Sequence, residues 1–364
     1  MKSSNFEKEG KDLALTAVRG KVKKTGKVTK AVGFRTVMTG LRQYQTLPDV
    51  SFISEVITSV FPEPQIFQGR LHSIIIMDEK PYRIDGDTLV AMSIGADNSA
   101  SNTNALTSNN IWTYADLGDY FVIANGNKVI YGNCLTDTYY IARPRISCVG
   151  MYKGRVAYAG FDQDSTFNQE WVDFFQEFEE SIPVVGLRQN YVMLCPVDTD
   201  PFWLFNPPTA RVKALIESSE IMYAPIRTES QIIGIGELNN GLMVYTHNEV
   251  YTSNVISQPM FAFSRIKTMD FGLRNQGSIH TAVNKHLLVS NTNRVIAITD
   301  SFDEMEYEQQ ILELSNDCRV LHDQNKDDYY IVDGSYTYLL TKFGLTEVAG
   351  DIASLYNKNI TYKI

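Results

Sequence analysis

The sequence predicts an all-β chain of repeated antiparallel meanders, closed into a β-propeller of about six or seven blades with an extended basic N-terminal arm. Three observations predict it. Tyr (20) and Phe (18) are plentiful alongside β-branched residues, and Asn, Asp and Gly interrupt them at short intervals, which is strand-and-turn chemistry. A three-strand unit at 231–254 recurs along the chain. The charge is split between a basic beginning and an acidic remainder.

The unit QIIGIGELNNGLMVYTHNEVYTSN runs from Gln231 to Asn254. Its apolar run Ile232 to Ile235 ends at the turn signal Asn239-Asn240-Gly241. Leu242 to Tyr245 then alternate, break at Thr246-His247-Asn248-Glu249 and resume at Val250-Tyr251. Three short strands cannot bury their own apolar faces, so the unit needs copies of itself. Copies follow from the sequence on both sides. Leu71 to Met77 turns at Asp78-Glu79-Lys80-Pro81, returns through Tyr82-Arg83-Ile84 and turns again at Asp85-Gly86-Asp87. Asp116-Leu117-Gly118-Asp119 leads into Tyr120 to Ala124, which turns at Asn125-Gly126-Asn127 and returns through Lys128 to Tyr131. Ile146 to Met151 turns at Lys153-Gly154 into Arg155 to Ala159. Tyr191 to Cys195 with Phe202 to Phe205 gives an irregular meander. Gly277 to Ile298, turning at Asn291-Thr292-Asn293, and Cys318 to Leu340, turning at 325–328 and at Asp333-Gly334, complete the series. The recurrence centres on about 40 to 50 residues, the repeat length of four-stranded propeller blades. A two-sheet sandwich is the alternative, and it implies a less regular recurrence.

The domain reading is an arm over 1–43, a linker or outer strand over 44–66, and a propeller body over 67–364 with an insertion near 162–182. The insertion is acidic and aromatic, with Trp171, Phe174, Phe175 and Phe178 at partly helical spacing. Residues 1–43 hold 11 Lys/Arg against 3 Asp/Glu, a net +8, and leave the remaining residues at −17 within a total of −9. Such an arm reaches for a phosphate backbone or for the acidic body of a neighbouring copy. Lys21, Lys23, Lys24, Lys27, Lys30, Arg35 and Arg42 are its candidate oligomer or DNA contacts. The pieces Leu13 to Val18 and Val32 to Val37 favour strand, so the arm is expected to order when it docks.

Catalytic chemistry is not supported by the motifs. Asp162-Gln163-Asp164-Ser165-Thr166 follows an apolar strand, as in phosphohydrolases related to haloacid dehalogenases. That chemistry needs a parallel α/β sheet and a later acidic pair after a strand, whereas Asp327-Asp328 precedes one, so an acidic turn is the better reading. His72, His247, His280, His286 and His322 show no HExxH or paired spacing, and Asp198/Asp200 lack the rest of a Ca²⁺ loop. Gly234-Ile235-Gly236 lacks the third glycine of a dinucleotide fingerprint. Cys134, Cys148, Cys195 and Cys318 are far apart and read as free, packed thiols. The expectation is therefore no enzyme, no cofactor and no metal. No apolar run is long enough to span a membrane and no signal-peptide pattern opens the sequence, so a protein made and kept, or assembled, in the cytosol is expected.

Three segments carry a resemblance: Asp116-Leu117-Gly118-Asp119-Tyr120-Phe121; the hairpin Leu242 to Tyr245 with Val250-Tyr251; and Phe271-Gly272-Leu273-Arg274-Asn275-Gln276-Gly277-Ser278 followed by His286 to Val289. With the repeat rhythm over 60–345, they resemble β-propeller structural proteins of short-tailed bacteriophage virions, of the tail nozzle, tail hub and packaged-DNA-stabilising kinds. The stretch Asp164 to Trp171 looks like the acidic loop leading to a Trp that such propellers place between blades, whereas the basic arm matches no feature of the family. The resemblance implies a virion tail protein assembled in the host cytoplasm. It implies a homo-oligomeric ring of six or twelve copies, contacts with portal, adaptor or other tail proteins, and passing double-stranded DNA that the ring conducts, retains and ejects. An acidic body facing the channel would keep DNA from sticking. A glycan-binding or glycan-cleaving propeller is the alternative, suggested by aromatic and acidic residues near turns, although no carboxylate pair is evident for hydrolysis.

Overall fold

The computed structural model describes residues 14–18, 21–25, 33–37, 40–51, 64–77, 80–95, 111–142, 144–161, 190–195, 222–225, 230–255, 263–282, 284–299, 304–307, 314–334, 336–348 and 352–364, with single positions at 169, 173, 214 and 218. Among the described residues, six four-stranded antiparallel meanders follow one another along the chain. The first comprises Gln65–Gln68, Ser73–Met77, Lys80–Asp85 and Thr88–Ala91. The second comprises Thr113–Leu117, Tyr120–Ala124, Val129–Asn133 and Thr138–Ile141, with Ser93–Ile94 added in parallel at its outer edge. Ile146–Tyr152, Arg155–Phe161, Tyr191–Leu194 and Met222–Pro225 form the third. Ile232–Leu238, Gly241–Thr246, Val250–Val255 and Phe263–Met269 form the fourth. The fifth is Ile279–Ala282, Lys285–Val289, Val295–Thr299 and Glu304–Tyr307, and the sixth is Arg319–Asp323, Asp328–Asp333, Tyr336–Thr341 and Gly344–Val348.

Local chemistry sets these registers. Leu238 pairs with Gly241, so Asn239 and Asn240 form the whole loop, at φ of 44° and 66°. Both positive values belong to the mirror-image turn whose twist matches that of the strands, and Asn tolerates them better than most residues. Lys153 (φ 48°) and Gly154 (φ 75°) make the same turn between Tyr152 and Arg155. Asp116 and Leu117 end the strand Thr113–Leu117, and Gly118-Asp119 alone reverse the chain into Tyr120.

The first strands of successive meanders pack on one another from the second through the sixth, which makes them the innermost strands of a ring of sheets. Apolar clusters fill the junctions. Ile74 and Ile76 meet Trp112, Phe121 and Ile123 between the first and second sheets. Cys148, Tyr152 and Ala157 meet Ile235, Leu242 and Tyr251 between the third and fourth. Similar clusters join the fourth to the fifth and the fifth to the sixth. The fit is close: a Cβ added to Gly160, at φ +72°, would lie 2.4 Å from the Ile232 carbonyl oxygen of the next sheet.

Closure comes from the segment that follows the arm and from the C-terminal hairpin. Leu355–Asn357 and Thr361–Lys363 form a hairpin between the sixth and first sheets. Asp49 bridges to Lys363 in parallel, Val50 N–H donates to the Lys363 carbonyl at 3.2 Å, and Lys363 N–H donates to the Pro48 carbonyl at 2.9 Å. This small composite unit covers the sixth sheet with Leu47, Ile352 and Leu355, and the first with Val50 and Tyr356. The described residues therefore form a β-propeller of six four-stranded blades and a seventh, abbreviated blade sewn from residues 47–50 and the hairpin 355–363. Residues 47–50, within the stretch 44–66 expected as a linker or outer strand, pair in that closure, and the first four-stranded blade begins at Gln65.

A polar bolt holds the joint. The Asn357 backbone and side-chain N–H groups both donate to Gln68 Oε1 at 3.0 Å, and Gln68 Nε2 returns a bond to the Asn357 carbonyl at 2.6 Å. Asn357 Nδ2 also reaches the His322 carbonyl at 3.2 Å, and its Oδ1 accepts from Gln324 N–H at 3.1 Å. One side chain thus ties the first, sixth and seventh blades. Asn357→Ala is expected to lower stability by about 2 kcal/mol, since it orphans several part-buried groups; a denaturant melt with an unchanged midpoint would contradict this role.

Candidate functional site

The arm is the feature of this chain with charge to spare, and its strands lie against the outside of two neighbouring blades. Phe34–Val37 and Gly40–Gln43 form a hairpin against the outer strands of the sixth blade, with Gly33 N–H donating to the Glu347 carbonyl at 2.7 Å. Ala14–Val18 and Lys21–Thr25 form a second hairpin, which pairs in parallel with Glu304–Tyr307 of the fifth blade, Lys21 opposite Glu306 and Val22 opposite Tyr307. From the seventh blade the arm thus runs backward round the rim, past the sixth blade to the fifth.

This arrangement sorts the candidate contact residues. Lys21, Lys23 and Lys24 sit on the rim strand. Lys27 and Lys30 lie outside the described residues. Arg42 is exposed on the hairpin, directly across from Arg35. Arg35 is committed within the chain: Nε lies 2.8 Å and Nη2 2.7 Å from Asp328 Oδ2, whose side chain is buried. Burial raises the Asp328 pKa, opposed first by the hydrogen bond and charge of Arg35 and then by the charge of Lys326. Tyr44 adds a 3.4 Å hydroxyl contact to Tyr330 nearby. Arg35 is thus an anchor of the arm, and its sequence gives no sign of a partner 293 residues away.

The histidines cluster at blade junctions, which their sequence spacing did not indicate. His280 on the fifth blade and His322 on the sixth have ring centroids 4.8 Å apart, and His322 stacks on Tyr329 at 4.4 Å. His322 Nε2 lies 3.0 Å from Asp327 Oδ1, while Lys285 Nζ sits 4.6 Å over the Tyr329 ring. Between the fourth and fifth blades, buried His286 donates from Nε2 to the Glu237 carbonyl at 2.9 Å, which leaves Nδ1 to accept the Tyr245 hydroxyl. Burial holds His280 down at about 3, with nearby His322, His286 and Lys285 adding to it, and holds His286 down at about 4. These rings are neutral packing elements. His72 bonds Asp119 at 3.2 Å between the first two blades.

Reactive thiols are absent among the described residues. Cys134, Cys148, Cys195 and Cys318 are all buried and unpaired with one another, as the spacing suggested, and burial pushes Cys134 up to about 12 and Cys195 up to about 11. No group of three His, Cys, Asp or Glu side chains with metal-holding geometry occurs among the described residues. Asp162, Asp164, Asp198 and Asp200 lie outside them, as do Trp171, Phe174, Phe175 and Phe178 of the expected insertion. No helix among the described residues is long and apolar enough to cross a membrane.

One end of the ring is apolar in places. Leu71 (66% exposed) and Leu135 (68%) occupy loops joining the first to second and third to fourth strands of blades one and two. Alternating strand direction puts these loops on the same face, where Tyr120 and Ile360 are also exposed. Large apolar side chains gathered on one face mark a contact surface more often than singly scattered ones do.

No protein-family model and no curated protein matches the chain. Among solved structures it is similar to the WD40 domain of Pan2 from Neurospora crassa, at a TM-score of 0.46 and 8% identity over 82% of this chain and 85% of that one. BamB from Moraxella catarrhalis gives 0.43 and 9% over 88% and 94%. PorZ from Porphyromonas gingivalis gives 0.45 and 11% over 86% of this chain, which spans about a third (35%) of PorZ. At these identities the likeness concerns fold alone.

The half-buried His280 and the buried His286 set a pH response. Their folded pKa values lie below the ordinary 6.5, so their contribution to stability is complete above pH 6.5 and is lost as pH falls toward about 4 and 3. The melting temperature is expected to fall from pH 6.5 to 4, with a shallower fall for His280→Phe; identical slopes for the two proteins would contradict the neutral packing of His280.

Proposed function

We propose that this chain is a virion structural protein of a short-tailed bacteriophage, a ring-forming tail component of the nozzle or hub kind that lines part of the DNA conduit. The observation that carries the reading is the course of the basic arm round the rim of an acidic propeller, one hairpin packed against the outer strands of the sixth blade and the other added as strands to the outer edge of the fifth. Rim strands of one charge on a body of the other are suited to side-by-side assembly, because a heterologous contact repeats round a ring and opposite charges select its register. The exposed Leu71, Leu135, Tyr120 and Ile360 on one face supply a surface for axial stacking on a portal or adaptor ring. The resemblance of 116–121, 242–251 and 271–289 to phage tail propellers supplies the biological setting.

In this reading the protein works through contacts. The −17 carried by residues 44–364 repels the phosphate backbone, so DNA would pass the body without sticking. Mass photometry and negative-stain microscopy of the full chain, and of a chain lacking residues 1–25, test the reading. The full chain is expected to form rings of six or twelve, and the truncated chain to stay a folded monomer. A full chain that is monomeric at every concentration and joins no portal or tail protein would contradict it.

A further inference from the structure

The fifth blade ends in an unusual edge. Residues 300–308, DSFDEMEYE, carry Asp300, Asp303, Glu304, Glu306 and Glu308 and no base, whereas residues 19–30, RGKVKKTGKVTK, carry Arg19, Lys21, Lys23, Lys24, Lys27 and Lys30 and no acid. The two segments meet in the fold, as strand Lys21–Thr25 beside strand Glu304–Tyr307. We propose that Glu304–Tyr307 is a strand-acceptor edge for the basic hairpin 14–25, and that in the assembled ring the hairpin comes from a second copy of the chain. In the free chain the same hairpin covers its own edge. The proposal rests on the ring reading above and specifies its contact.

Three features carry it. The described joint is parallel, pairing Lys21 with Glu306 and Val22 with Tyr307, so it is not the product of a tight turn and depends on a connection that brings the hairpin there. That connection is residues 26–32, which end at Gly33, itself bonded to the sixth blade. Seven residues span at most about 25 Å, so exchange requires the sixth-blade rim of one copy to lie within that reach of the fifth-blade edge of the next. Finally, the propeller closes through 47–50 and 355–363, at the far end of the arm from the hairpin, so moving the hairpin leaves the closure bonds intact. Exchange replaces each parallel ladder and each Lys–Glu register by an identical one from the neighbour, so it costs little in contacts, and closure of a ring makes the last exchange intramolecular. Self-coverage in the free chain also protects an edge strand that would otherwise present unpaired N–H and C=O groups to any passing strand.

Complementary charge reversal tests this. One chain carries Lys21→Glu, Lys23→Glu and Lys24→Glu, giving it an acidic hairpin and an acidic edge. The other carries Glu304→Lys and Glu306→Lys, giving it a basic hairpin and a basic edge. Neither is expected to form rings alone, and an equimolar mixture is expected to restore them to at least half the wild-type fraction by mass photometry. A mixture that behaves as the sum of its parts would overturn the exchange. As a second readout, Lys21→Cys in one chain and Glu306→Cys in another are joined by a short bismaleimide after assembly with each other. A cross-linked product of one chain of each kind is expected. Rings whose Lys21→Cys/Glu306→Cys double variant links only within single chains would overturn the exchange while leaving the ring reading intact; a wild-type chain that forms no rings at all would instead overturn the ring reading.

Discussion

Everything in this molecule depends on the joint between residues 47–50 and 353–364. A ring of sheets buries each blade between two others, so an open ring exposes two apolar faces at once: here the one lined by Tyr330, Val332 and Leu339 on the sixth blade and the one lined by Ile75, Met77 and Ile84 on the first. The short hairpin and the passing strand cover both. They do so with few residues because their hydrogen bonds are shared: Ala353 N–H donates to Ile364, Ile364 N–H to Ser354, and the Ser354 hydroxyl accepts from Ile66 N–H of the first blade at 2.9 Å. Hydrophobic burial supplies the driving force, and the polar bonds fix which blade meets which, since a misregistered closure would leave buried donors unpaired.

The other junctions follow the same division of labour. Apolar clusters fill each wedge, and single polar contacts align the neighbours: Trp112 N–H to Gln65, Val149 N–H to the Thr113 hydroxyl, Tyr152 hydroxyl to the Asn240 carbonyl and Val320 N–H to the Gly277 carbonyl. The neutral histidines belong to this set. Arg35 extends it outward, because its bond to the buried Asp328 ties the rim hairpin to the sixth blade and makes the arm part of the body up to Gly33. Beyond Gly33, the parallel ladder of Lys21–Val22 with Glu306–Tyr307 attaches the second hairpin to the fifth blade.

The repeat was legible in the sequence because the second strand of each blade is buried on both faces along nearly its whole length and the strands are joined by turns with distinctive residues. Gly241–Thr246 is buried throughout, and Asn239-Asn240 and Lys153-Gly154 supply the positive φ that short hairpin turns require. The outermost strands escaped. Met222–Pro225, Phe263–Met269, Glu304–Tyr307 and Gly344–Val348 read as MYAP, FSRIKTM, EMEY and GLTEV, with charges or proline where an edge strand tolerates them and no sustained alternation. The closure escaped for another reason: Val50 and Lys363 are distant in sequence, and nothing local marks either as the other's partner. The arm's basic character was plain, as was its tendency to order on docking, but the choice of Asp328 for Arg35 and of Glu306 for Lys21 is a property of the assembled rim.

The closure is the central claim, and native-state hydrogen exchange tests it most directly. If these two segments complete the ring, the amides of Val50, Ala353, Lys363 and Ile364 should exchange only through the same cooperative opening that exposes Ile75 and Ile331 in the flanking blades, with matching protection and matching denaturant dependence. Rapid exchange at those four amides while Ile75 and Ile331 stay protected would show that the propeller holds together without its seventh blade, and would contradict the account.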